Sequence, residues 1–89
     1  MISLAKVFVF HYVNRLPTEI PPDMAKKLKE ALTDFLNKNP DVKYNGTWWN
    51  PHNGIGICDW EGPVDKIVRF LKEAGIPYDE VVEVQRLQL

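Results

Sequence analysis

Two histidines and one cysteine set the limits of the chemistry this chain can do. His11, His52 and Cys58, with Asp59 beside the cysteine, are the side chains that could hold a borderline transition-metal ion. Their spacing makes no Cys-x-x-Cys, His-x-x-x-His or His-Glu-x-x-His motif, so a metal site on His11, His52 and Cys58 needs separate strands or two subunits to assemble it. The plain alternatives are a turn residue for His52 and a small buried hydrophobe for Cys58. Cys58 as a nucleophile would need a base, and His11 is the histidine that can approach it across a sheet; an inert thiol is the competing outcome. Glu61 could act as an acid or base, or simply favour a helix start. Asn14 and Arg15 end a strand where a phosphate could sit, but Leu16 and Pro17 replace the glycines such a cradle requires.

A second constellation is suited to binding rather than coordination. His11, Tyr12, Asn45 and Trp49 could give a hydrophobic pocket its few polar groups and a ring wall. Trp48, Trp49 and Trp60 with Tyr12 and Tyr44 could stack bases, yet Gly54 to Asp59 contains no Lys or Arg. The chain's formal net charge is −1, without the basic excess that nucleic-acid binding demands. Tryptophans in a core or at a dimer interface account for the same residues.

Six elements must position these groups. Leu4 to Val13 reads as a strand apolar on both faces, with Phe8, Phe10 and Tyr12 on one side and Val7, Val9 and Val13 on the other. Three prolines make Asn14 to Pro22 a loop. Met24, Leu28, Ala31, Leu32, Phe35 and Leu36 recur at helical spacing from Asp23 to about Asn37, and Asn39-Pro40 ends that helix. Lys43 to Asn50 and Ile55 to Trp60 form a hairpin around Asn50-Pro51-His52-Asn53-Gly54. Gly62-Pro63 opens a second helix with proline in the first turn, and Gly75 closes it with a left-handed cap on which Ile76 packs back. A last strand runs from Asp79 to about Leu87.

Two strand-helix-strand units in tandem predict an α+β, ferredoxin-like sandwich: a four-stranded antiparallel sheet with two helices on one face and a single domain spanning residues 1–89. The first and third strands are then central. Grouping Phe8, Phe10 and Tyr12 with Cys58 and Trp60 would make the uncovered face an aromatic patch too large to leave wet; the opposite choice would expose Val7, Val9, His11 and Ile57. Either way apolar surface remains, which predicts a homodimer through the open face, and two such sheets packed together form a dimeric α/β barrel. At 89 residues a domain buries only roughly 60–65% of its unfolded surface, so self-association would add needed stability. One cysteine, no signal-peptide pattern and no long apolar run make the cytoplasm the default location and argue against a membrane partner.

Cys58-Asp59-Trp60-Glu61-Gly62-Pro63, Ala74-Gly75-Ile76-Pro77-Tyr78-Asp79-Glu80-Val81 and Glu83-Val84 resemble a bacterial and archaeal family of small ferredoxin-like domains of unknown function that includes a nickel-responsive, nickel-binding protein. The match runs over about residues 44 to 84. Gly46 ahead of Trp48-Trp49 is also similar to a second family of small ferredoxin-like domains with a Gly-x-Trp strand. The first resemblance implies the fold and pairing through the sheet; nickel or another divalent transition metal stays a candidate ligand that does not carry over with them, since no full ligand set maps onto this sequence. The resulting expectation is a metal-responsive or small-ligand-binding module; the runner-up is a dimeric-barrel enzyme, a cofactor-free monooxygenase or isomerase acting on a small hydrophobic substrate. A cavity of a few hundred cubic ångströms beside a polar side chain separates a ligand-binding protein from a solid structural module.

Overall fold

In a computed structural model, residues 5–89 are described; the expected start of the first strand at Leu4 lies outside them. The order is β1 (Lys6–His11), α1 (Pro22–Lys38), β2 (Lys43–Trp49), β3 (Gly56–Glu61), α2 (Val64–Glu73) and β4 (Glu80–Val84). The strands form one antiparallel sheet in the order β2-β3-β1-β4, the ferredoxin-like arrangement. No helix among the described residues is long and apolar enough to cross a membrane.

Register decides which side chains share a face. Val7 pairs with Trp60, Val9 with Cys58 and His11 with Gly56, and directly opposed residues in an antiparallel ladder point the same way. Cys58 and Trp60 therefore join Val7, Val9 and His11 against the helices. This corrects the grouping of Cys58 and Trp60 with Phe8, Phe10 and Tyr12. The open face carries Phe8, Phe10, Ile57, Val82 and Trp48, beside the Lys6–Asp59 ion pair at 2.8 Å. Val13 and Leu87, expected in strands, lie beyond the strand ends and are exposed.

The core is aromatic at its centre: Phe35 of α1 stacks on Phe70 of α2 at 4.7 Å, and Trp60 lies 5.8 Å from Phe70 and 4.8 Å from Tyr44. Pro63 precedes the first turn of α2 rather than sitting in it. At the other end, Gly75 adopts φ 69° and donates to the Lys72 carbonyl, while the Ile76 N–H bonds the Leu71 carbonyl at 2.9 Å. This double bond closes the helix by satisfying carbonyls that have no partner further along it.

α1 packs unevenly. Phe35 is the buried residue among its 17 positions, and Leu32 and Leu36 lean on the core beside it. Met24 and Leu28, on the same stripe nearer the N-terminus, border an open space instead.

In β2 the register slips between Tyr44 and Gly46, so Asn45 is an extra residue on that edge strand. Gly46 has φ 128° there, a backbone region that side-chain-bearing residues avoid. After the bulge, Thr47 pairs with Cys58 and Trp49 with Gly56, which puts both on the helix side with Tyr44.

Candidate functional site

The space beneath the N-terminal half of α1 is a cavity of about 820 Å³ bounded by the sheet, both helices and the loop from Asn14 to Ile20. Its walls are chiefly apolar side chains, with a polar row on the sheet floor. The space opens to solvent beside Met24, which is exposed at its rim.

The floor holds four linked polar groups. His11, fully buried, has Nδ1 at 2.6 Å from the Pro77 carbonyl and Nε2 at 3.3 Å from Cys58 Sγ. A carbonyl can only accept, so Nδ1 carries the proton and Nε2 offers its lone pair; the Cys58 thiol then donates to Nε2. With that proton committed, Thr47 Oγ1–H donates to Cys58 Sγ at 3.1 Å, and the Tyr44 hydroxyl donates to Thr47 Oγ1. Every hydrogen in the chain Tyr44–Thr47–Cys58–His11–Pro77 thus runs in one direction. Burial pushes the His11 imidazole down, against the Pro77 hydrogen bond and the charge of Asp79, which raise it. Burial pushes the Cys58 thiol up, against the Thr47 hydroxyl. The pair rests as neutral thiol and neutral imidazole.

The loop is fastened over one end of the cavity. The Asn14 and Leu16 N–H groups bond the carbonyls of Asn53 and Gly54, and Trp49 Nε1–H donates to the Pro17 carbonyl at 3.0 Å. Asp79 accepts from the Tyr12 N–H and from Arg15 Nε, both at 2.7 Å. Leu16 lies so close to the hairpin that a Cβ on Gly54 would stand 2.2 Å from its carbonyl oxygen, and one on Gly56 would stand 2.6 Å from its Cδ1.

Of the expected binding residues, His11 and Trp49 line the cavity. Tyr12 and Asn45 do not: the Tyr12 hydroxyl donates to Glu80, and Asn45 Nδ2 donates to Glu61 at 3.0 Å, both on the open side of the sheet. Asn45 is there because the bulge lets it and Gly46 share one side of β2. The metal set is likewise divided. His11 and Cys58 are in contact, but His52 is exposed in the hairpin turn, and no three His, Cys, Asp or Glu side chains converge among the described residues. A metal ion would have only His11 Nε2 and Cys58 Sγ from the expected set, and would displace the proton between them.

Thr47, Tyr44 and Leu16 belong to the site and were not singled out for it from the sequence. Gly46 inside a strand was the available signal, since such a glycine often marks a bulge. Trp60 adds one more feature: it is 2% exposed, lines the cavity, and its indole N–H has no acceptor among the described residues. A buried donor left unpaired costs about 1–3 kcal/mol.

Burial of His11 makes stability depend on pH. Its folded pKa lies below the ordinary value of about 6.5, so the unfolded chain takes up this proton first. Stability from this group is complete above about pH 6.5 and declines as pH falls, levelling off below the folded pKa. Urea midpoints measured between about pH 7 and pH 5 should fall in the natural protein and fall less in His11→Gln; equal slopes would show that His11 is not responsible. Asp59 and Asp41, held low by Lys6 and Lys66 respectively, act further into acid.

No protein-family model matches this sequence, and no curated protein does. Among solved structures, the chain is similar to SCO4226 from Streptomyces coelicolor A3(2), with 25% sequence identity and a TM-score of 0.69 over 94% of this chain and 100% of that one. That likeness supports the ferredoxin-like architecture.

Proposed function

We propose that this chain is a binding domain for a small, mainly apolar molecule. The observation that carries this reading is the 820 Å³ cavity, a volume within the range of small-molecule sites. Its position accounts for one otherwise costly feature. Among the described residues, Met24 and Leu28 of α1 border the space instead of covering core, and an apolar ligand would cover them. The row Tyr44–Thr47–Cys58–His11 gives the floor its orienting groups.

The same reading seats a second copy of the chain on the open sheet face. Phe8, Phe10, Ile57 and Val82 form its apolar centre, and Trp48 is 78% exposed at its edge. A large aromatic left in water at the margin of an apolar patch is a characteristic of protein contact surfaces. Nickel or a related ion is the less supported ligand, because His52 stands apart from His11 and Cys58.

The test is a titration with small aromatic ketones, read by tryptophan emission and thermal denaturation, since Trp49 and Trp60 line the cavity. A ligand at about a hundred times its Kd should stabilise the protein by about 2.7 kcal/mol. Leu28→Asp, which puts a carboxylate on the apolar wall, should weaken binding by about tenfold or more while circular dichroism stays native. Equal binding by this variant, or no response to any ketone, would overturn the cavity reading.

A further inference from the structure

We infer that Cys58 captures soft carbon electrophiles in the cavity, with His11 as the base, so that the molecules this site takes include α,β-unsaturated carbonyl compounds. This rests on the cavity reading and adds a covalent step to it.

The geometry supplies each part of the step. Cys58 Sγ lies on the cavity floor, 3.3 Å from His11 Nε2. That nitrogen is the unprotonated one, because Nδ1 is committed to the Pro77 carbonyl at 2.6 Å. The Thr47 hydroxyl donates to the sulfur at 3.1 Å and would steady negative charge building there.

The step balances within the site. Sulfur attacks the β-carbon and forms the S–C bond as the thiol proton passes to His11 Nε2. The π pair of the C=C bond moves onto the α-carbon and carbonyl oxygen as an enolate. The imidazolium, still held by Pro77, returns the proton to the α-carbon. The net change is addition of S–H across C=C, with no oxidant or reductant. Because burial holds the resting pair neutral, proton transfer accompanies attack instead of preceding it. Charged and titratable groups around the pair are Tyr44 from β2, Asp79 after α2, and Arg15 and Lys29 on the cavity wall.

The experiment compares benzylideneacetone, an enone, with benzylacetone, its saturated counterpart, on the full chain. The enone should give one adduct per chain by intact mass, mapped to Cys58, and the saturated ketone should bind without reacting. The adduct rate should be nearly flat between about pH 7 and 8, whereas attack by free thiolate rises about tenfold per pH unit in this range. His11→Gln should slow the reaction about tenfold or more and restore that steep rise, a change a merely structural histidine would not produce. If His11→Gln fails to fold, the pH profile of the natural protein decides alone: a steep rise overturns the role of His11. Binding of benzylacetone without any Cys58 adduct from the enone overturns the covalent step and leaves the cavity reading standing; failure of both ketones to bind removes both.

Discussion

Phe10→Asp is expected to convert a dimer into a folded monomer. Phe10 lies on the open face, opposite Ile57 of β3 and Glu80 of β4, with its ring edge-on to Phe8 at 6.5 Å. In an isolated subunit an aspartate there would be solvated, next to one carboxylate already present. In a sheet-to-sheet dimer it would be buried without a partner, at a cost of several kcal/mol. Light scattering at micromolar concentration should therefore give about twice 10.3 kDa for the natural protein and 10.3 kDa for the variant, with unchanged circular dichroism. A natural protein that is already monomeric, or a variant that stays paired, would refute the interface.

Trp60→Ala is expected to leave little folded protein. The indole is 2% exposed and sits among Tyr44, Phe70 and Phe35 at ring separations of 4.8, 5.8 and 6.3 Å. Removing a buried aromatic of this kind costs about 3–5 kcal/mol, comparable with the whole stability of many domains of this size. A melting temperature lowered by more than about 15 °C, or no cooperative transition, is the anticipated result; a shift of only a few degrees would mean the aromatic cluster is not the centre of the fold. Trp60→Phe keeps much of the ring contact and deletes the unpaired N–H, so it should cost far less stability.

The order of elements was readable because period changes, prolines and Gly75 mark their limits locally. Which side of the sheet each residue faces was not, since pairing register is a property of two strands. Strict alternation along β1 separates Phe8 and Phe10 from Val7 and Val9 correctly, but nothing in β1 says that Val9 meets Cys58. His11 and Cys58 were legible as a possible pair by chemistry. Thr47, whose hydroxyl completes the row, becomes visible only once the slip at Asn45 is known. His52 looked like a ligand by type, and the turn that holds it carries it away from the other two. The cavity depends on how far α1 stands from the sheet, and an amphipathic stripe reads the same whether it covers a core or a void.

The bulge at Asn45 and Gly46 also says where this chain can tolerate a change of length. Asn45 is a residue that the ladder skips, so a related chain lacking it would run straight from Tyr44 through Gly46 to Thr47 in regular alternation. Thr47 and Trp49 would keep their sides and the cavity floor would survive. One residue gained between Thr47 and Trp48, or the loss of Thr47, would instead exchange the two tryptophans, sending Trp48 inward and Trp49 out. Among homologous sequences, a gap at position 45 should therefore be neutral for the site, while a gap two or three residues later should mark a protein with a different ligand.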